Sequence, residues 1–540
     1  MLSTIRRELA AEQPAVAKHC SQRDQLIFAK EDFLSAAPSD CDLLNKALRL
    51  HPGWRTKMRR MIVYAVVVTV LCAAASASAD DPNVYYGLLH AHTSFSDGSG
   101  LPVEAYDQAK AAGLDFFAIT EHNHSDAEAG AKERKDGLLI ATDRRLYNGQ
   151  QPIEINGRAV ASVLTAAKAA SSDRFVALYG QEFSTISSGN HVNVFDTTEV
   201  IDVPSGNFRR LYDYLGAIKI SDGGHPIVQF NHPDVHGDLF YAGTSEKSKK
   251  DMDNDYGIDQ GDLGPSFATV ADACDSFASL IEMLSGPAMA KEQDSTFRYA
   301  AHEEDYAFYL SQGFHLSPTA GQDNHYKTWG TVTNARTGVL CERLTKNDLL
   351  EALRLGRTFA TEDKNLALTL TANDQLMGSR LSLPEKSLLD LAVTIRDADE
   401  PHTSYHVNLY HGIIETTTRD RAREVKLRDL LAAQEILTGD GNIHFKGVET
   451  TGKPEFFFVK VEQADHDRAW SAPVWVNSGT LPDPATSVAM YVWNPNSRSK
   501  IYHTPDCRRG PTSEGKQSGP VPPADFHPHE CVIQTHTDEP

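Results

Sequence analysis

Seven cysteines in 540 residues are too few to staple a chain of this size, which excludes a disulfide framework as its main support. Positive charge is also scarce: 52 Lys and Arg stand against 73 Asp and Glu, a formal net charge of −21. Such an acidic surface repels polyanions and excludes broad, non-specific nucleic-acid binding, although a cleft that holds cations can still take a small phosphorylated molecule. No internal repeat is visible. A hydrophobic fraction of 41% with 23% charged residues excludes collagen-like, coiled-coil and wholly disordered chains. Long apolar runs are nearly absent, and the strongest of them is informative. Lys57, Arg59 and Arg60 precede charge-free 61–75, and small residues follow through Ala77-Ser78-Ala79 to Asp80. This predicts a secretory signal over 58–79 and a secreted or periplasmic protein; left uncleaved, 61–79 would anchor it in a membrane. Residues 1–57 read as an uncertain N-terminal extension ahead of a start at Met58 or Met61. What is plentiful is histidine, with 22 residues, which turns attention to imidazole chemistry.

From Tyr85 to about Thr361 short apolar runs alternate with helical patterns. Segments 85–92, 116–122, 175–183, 192–195, 227–232, 279–284 and 316–323 read as buried strands. Segments 103–112, 159–170, 208–218, 303–312 and 344–355 read as amphipathic helices. This alternation predicts parallel strands with crossover helices, as a barrel or an open sheet, over 80–365. Beyond Asn365 the period becomes two, in Leu366–Leu370, Leu391–Ile395, Tyr405–Tyr410 and Phe456–Val461, which predicts an antiparallel β-sandwich over 366–477. Residues 478–540 form a tail rich in Pro, Ser and Gly with a small His/Cys cluster.

The chemistry-bearing residues gather at the ends of the predicted strands: His90 and His92, then Asp97, Glu121 with His122, Glu182, His191, His232, and Asp323 with His325. In parallel α/β folds the C-terminal strand ends converge on one face, where loops build the site. Residues i and i+2 of a strand share a side, so His90 and His92 can meet one metal ion, and Asp323 and His325 can share one pocket. Imidazole and carboxylate without thiolate suit Zn, Mn or Fe in a reactive site rather than a structural zinc. A carboxylate such as Glu182 can bridge two cations. Taken singly each of these residues has an ordinary structural use; nine of them at strand ends predict a metal centre.

The phrases Tyr86-Gly-Leu-Leu-His-Ala-His-Thr, Ser96-Asp-Gly and Ala118-Ile-Thr-Glu-His-Asn resemble the PHP (polymerase and histidinol phosphatase) superfamily of metal-dependent phosphoesterases, in its carbaryl-hydrolase-like branch. The likeness spans about 84–361. It implies a distorted (β/α)7 barrel with two to three divalent ions (Zn, Mn or Fe) at the C-terminal face. By position, the first ion would be held by His90, His92, Glu182 and Asp323, the second by Glu182, His191 and His232, and the third by Asp97, His122 and His325. Glu121 stands where many members carry Asp, and Asp97 where some carry His; Glu121 is therefore assigned outside the ligand set.

The activity so implied is hydrolysis of a phosphomonoester or phosphodiester by a hydroxide held between two metals, with Glu182, Asp323 and His325 as catalytic residues. His124 is an alternative proton donor. Arg336, Lys327, Arg144 and Arg145 are candidate phosphate clamps. Hydrolysis of a carboxylic or carbamate ester is the enzymatic alternative, and a non-catalytic exported binding protein the alternative of another class. The expected partner is a small-molecule ester, and a membrane enters only if the signal stays uncleaved. In the tail, His503, Cys507, His527, His529 and Cys531 leave a Cys507–Cys531 disulfide and a small metal module both open. The acidic run 235–264 reads as a solvated loop, with calcium binding as its alternative.

Overall fold

A computed structural model of the chain describes residues 82–479, apart from 124–139, 141–142, 156, 184–190, 204–207, 219–224, 234–266, 294–296 and 416–424, together with short stretches between 491 and 528. The segment 58–79, His124, the acidic run 235–264, Cys507, His529 and Cys531 lie outside the described residues. Among the described residues no helix is long and apolar enough to cross a membrane.

The fold is mixed α/β and dominated by sheet. Its first part carries β1 (Asn83–Leu88), β2 (Phe116–His122), a small hairpin of β3 (Ile153–Ile155) and β4 (Arg158–Val160), β5 (Val176–Phe183), β6 (Val192–Phe195), β7 (Ile227–Phe230), β8 (Ala278–Leu284), β9 (Ser317–Ala320), β10 (Arg336–Cys341) and β11 (Thr358–Thr361). Helices Pro102–Ala111, Val163–Ala170, Phe208–Ala217, Phe267–Cys274, Glu303–Ser311 and Lys346–Arg354 alternate with them. All seven residues of β2 are buried, which is why it reads as an unbroken run rather than an alternating one: both faces are covered. The helix Lys346–Arg354 starts where the Thr345 hydroxyl accepts from the Asp348 amide, and it buries Leu349, Leu350, Ala352 and Leu353 along one side.

Where a (β/α)7 barrel was expected, the strands follow the order β1-β2-β5-β6-β7-β8-β9, but β6 runs antiparallel to both of its neighbours. The reason lies in the chain length available. Only eight residues separate Phe183 from Val192, fewer than the roughly 12 that a parallel crossover needs, so the chain must double back. The two ends of the series meet through a single bridge, Ala91 to Asn324, rather than a ladder. Strands β10 and β11, not anticipated from the sequence, add antiparallel on the outer side of β1.

The second part carries β12 (Ala367–Ala372), β13 (Gln375–Leu376), β14 (Arg380–Leu381), β15 (Leu388–Arg396), β16 (Ser404–Ile413), β17 (Leu431–Thr438), β18 (Gly441–Glu449), β19 (Glu455–Gln463), β20 (Arg468–Ser471) and β21 (Val474–Val476). One sheet runs β13-β12-β15-β18; the others join the large sheet through β11·β20, where Phe359 pairs with Ser471 and Thr361 with Ala469. The hydrogen-bonded sheet thus crosses residue 365 without a break. Alternate residues of β12 and β15 point inward, as period two requires, and Leu368, Leu370, Val393 and Ile395 share a core with Val407, Leu409, Phe457 and Val459. In the tail, β22 (Tyr491–Trp493), β23 (Ile501–His503), β24 (Gln517–Gly519) and β25 (His527–Pro528) form a separate small sheet in which β23 and β25 run parallel.

Candidate metal centre

Strand pairing alone brings the expected residues together. In the parallel ladder of β2 and β5, His122 lies opposite Glu182. The turn back into β6 pairs Phe183 with Val192, which sets His191 beside the same carboxylate. Strand β7 follows antiparallel to β6, and the Asn231 amide donates to the His191 carbonyl, so His232 arrives next to His191. On the other side, the His92 amide donates to the Asn324 carbonyl at 2.9 Å and the Asp323 amide to the His90 carbonyl at 3.1 Å. These two bonds stitch the His90–His92 segment to the Asp323–His325 segment. Asp97 comes from the turn after His92. A Cβ on Gly98 would lie 2.7 Å from the His92 carbonyl carbon, so that turn closes only with glycine. All nine expected residues therefore lie in one centre.

Three groups of donors stand within 4.8 Å: His90, His92, Glu182 and Asp323; His122, Glu182 and His191; and His92, Asp97, His122 and His325. The grouping differs from the expected one in two respects. His92 and His122 are each shared between two groups, and His232 stands slightly apart, its Nε2 3.5 Å from Glu182 Oε1. Glu182 is the common member of the first two. Its Oε1 lies 3.1 Å from His90 Nε2 and 3.1 Å from His191 Nδ1, and its Oε2 lies 3.2 Å from His92 Nε2 and 2.9 Å from His122 Nδ1. Asp323 Oδ1 is 3.1 Å from His90 Nε2 and 2.9 Å from His92 Nε2.

The donor set fits divalent cations. Among the described residues, Glu182 Oε2 and Asp323 Oδ1 are buried and accept no hydrogen bond, although imidazole nitrogens stand about them. Oxygen and nitrogen lone pairs therefore converge on shared space instead of on each other, an arrangement a cation satisfies. The far sides of the rings are fixed as metal ligands require. His90 Nδ1 faces Glu282 Oε1 at 2.8 Å, and His325 Nδ1 donates to the Asp323 carbonyl at 2.7 Å. His92 Nδ1 faces the Ser96 hydroxyl at 3.4 Å, and Ser96 in turn bonds Glu121. Each contact keeps the proton on Nδ1 and leaves Nε2 to the centre. Glu121 also takes the Thr93 amide and hydroxyl, so it braces the turn after His92 and is not itself a ligand. Asp323 and His232 hold backbone φ angles of 50° and 29°, a left-handed conformation that costs non-glycine residues energy and here aims both side chains inward.

The electrostatics are those of a set awaiting positive charge. Burial opposes ionisation of Glu182, but His90, His122 and His191 outweigh it and hold the carboxyl well below the usual range. Burial is likewise outweighed at Asp323 by His90 and His325. Conversely, burial should deprotonate His90, yet Asp323, Glu182 and Glu282 hold it well above its ordinary value. His92, buried and repelled by His325, is still raised to about 9 by the adjacent carboxylates of Asp323 and Glu182. His191 is the exception: burial wins and its value falls.

The candidate phosphate clamps fall elsewhere. Arg336 is buried and donates to the carbonyls of Gly330, Thr333 and Ala335. Lys327 pairs with Glu104, Arg144 with Asp202 and Arg145 with Asp143, all on the surface. Sequence reasoning missed Glu282, whose only signal is an acid inside the apolar run Ala278–Leu284. It also missed Lys291, whose Nζ stands 4.8 Å from the ring centre of Tyr326, the neighbour of His325.

No family model matches the chain. An uncharacterised protein of Chlamydia pneumoniae is 26% identical over 156 residues, which is 26% of this chain and 22% of that relative's length. Among solved structures, a two-domain protein from Bacteroides vulgatus containing a predicted PHP-like metal-dependent phosphoesterase aligns over 71% of this chain and 91% of its own, with 14% identity and a TM-score of 0.32. An amidohydrolase from Chromobacterium violaceum aligns over 46% of this chain and 89% of its own, with 13% identity and a TM-score of 0.21. These likenesses are distant, and what the centre can do follows from its side chains.

Proposed function

We propose that the chain is a metal-dependent hydrolase of phosphoric esters, of the PHP kind and nearest its carbaryl-hydrolase-like branch, on a distorted barrel over 80–365 followed by a β-sandwich over 366–477. One observation carries this reading: six imidazoles and three carboxylates, with no thiolate, converge around Glu182 at one end of the sheet. Bound divalent cations would neutralise charge on the transferring oxygens and acidify water. His90, His92, Glu182 and Asp323 would hold one ion, Glu182 with His191 and His232 a second, and Asp97, His122 and His325 a third.

The chain's own residues divide the remaining work. Glu182 and Asp323 keep the imidazole nitrogens turned toward shared space. His325, with its Nδ1 proton committed to the Asp323 carbonyl, keeps its Nε2 lone pair directed into the centre. His232, Asp323 and His191 are 27%, 17% and 15% exposed while His90 and His92 are fully buried, so the ester enters from the His232 side. In this reading 58–79 is removed on export and the enzyme works as a secreted or periplasmic protein.

The test is hydrolysis by the full chain loaded in turn with Mn, Zn and Fe, offered p-nitrophenyl phosphate, bis-p-nitrophenyl phosphate and an aryl carbamate. Turnover of a phosphate ester that stops on chelation is expected. Carbamate turnover alone would move the activity to carboxylic esters, and failure on both phosphates with metals bound would contradict the phosphoesterase reading.

A further inference from the structure

Glu282 is fully buried inside β8, between Ile281 and Met283, and both of its oxygens are used. Oε1 lies 2.8 Å from His90 Nδ1, and Oε2 accepts the His232 backbone amide at 2.8 Å. A third ligand-bearing segment closes over it: a Cβ on Gly321 would sit 1.9 Å from Glu282 Oε1 and 3.0 Å from His90 Cβ. The β8·β9 register slips between Glu282 and Leu284, an irregularity of the kind that re-aims a side chain beside a site. One carboxylate thus touches the segments that carry His90, His232 and, through Gly321, Asp323.

Resting on the metal-centre reading above, we propose that Glu282 is the positioning residue that ties these three ligand segments together. It acts in two ways. A carboxylate only accepts, so the proton of His90 stays on Nδ1 and Nε2 keeps its lone pair for the ion. The bond to the His232 amide holds the left-handed turn at φ 29°, which would otherwise relax and swing the imidazole away from Glu182. Glutamine cannot do both. With its oxygen toward His90, its NH2 opposes the His232 N–H; turned over, it donates to His90 Nδ1 and forces the proton onto Nε2, where the ion should sit.

The experiment titrates Co2+ into the metal-stripped full chain and follows visible absorption in wild type, Glu282→Gln and Gly321→Ala. In both variants one Co2+ should bind about 10- to 100-fold more weakly, with an altered spectrum, as expected when the partner of a ligating imidazole is lost. The melting point of the metal-stripped Glu282→Gln chain should fall by a few degrees with the transition still cooperative, because the buried His232 amide or the His90 ring loses its acceptor. Binding within about twofold of wild type and an unchanged spectrum in Glu282→Gln would overturn the proposal. If that variant does not fold, Gly321→Ala decides in the same way, since it keeps the carboxylate and displaces it. Wild type that takes up no Co2+ would bring down the metal-centre reading and this proposal with it; wild type that binds as expected beside an unaffected variant would bring down the proposal alone.

Discussion

Glu182→Gln is expected to lower turnover about 10³-fold or more and to remove at least one metal ion per chain while leaving the fold intact. The side chain is 1% exposed and serves five imidazoles as well as the side-chain amide of Asn231, whose Nδ2 donates to its Oε1 at 2.9 Å. An amide is nearly isosteric, so strand pairing around β5 should not change. It is also uncharged, and one of its two ends becomes a donor. Whichever way it turns, NH2 faces ring nitrogens that should be offering lone pairs. The charge that balances two adjacent ion sites disappears in one substitution, and charge stabilisation by metal ions is worth several kcal/mol. Metals counted per chain, turnover and far-ultraviolet circular dichroism on the same sample check this. A variant that keeps its ions and stays within about tenfold of wild type would remove Glu182 from the centre.

Chelation should expose a pH dependence that the loaded protein lacks. In the metal-stripped chain, His92 is raised to about 9, and His90, His232 and His325 also lie above their ordinary value. A histidine whose folded-state value is raised contributes stability that is fully present below about 6.5 and is lost as pH climbs through the folded value. For His92, fully buried, the change is worth roughly 3 kcal/mol between pH 6.5 and 9. His191 acts in the opposite sense and offsets part of it. Glu182 and Asp323, held low, contribute stability above about pH 4 that is lost only as pH falls through their folded values. The cluster thus favours the stripped chain most between about pH 4.5 and 6.5. Metal ions displace the same protons and bind more tightly as pH rises, so the denaturation midpoints with and without chelator should separate from pH 6.5 to 9. Curves that stay parallel over that range would contradict this protonation scheme.

The centre was legible because its residues sit where buried strands end, and buried strands announce themselves as short apolar runs: Phe116–His122 and Val192–Phe195 have the predicted bounds. Pairing direction was not legible in the strands themselves. Nothing in the composition of Val192–Phe195 says that β6 reverses; the eight-residue return from β5 does, through the length a crossover needs. Glu282 escaped because it lies inside a strand rather than at its end, with no partner at a telling spacing. Its burial, once seen, demands a compensating donor, and His90 supplies one. Arg336 invites the opposite error: as a guanidinium near Asp323 in sequence it resembles a phosphate clamp, but it spends its donors on three carbonyls of the turn before β10. Strands β17 and β18, which pair with β16 and β15 in different sheets, were missed because neither strand buries a full face and neither carries a strong alternation.

The most direct test of the central claim is elemental analysis of the purified full chain, prepared without chelators and under anaerobic conditions. Two to three divalent transition-metal ions per chain are expected from nine N and O donors arranged around Glu182. A protein that retains less than about one ion per chain, and takes up none when Zn, Mn or Fe is offered, would contradict the metal centre and the hydrolase built on it.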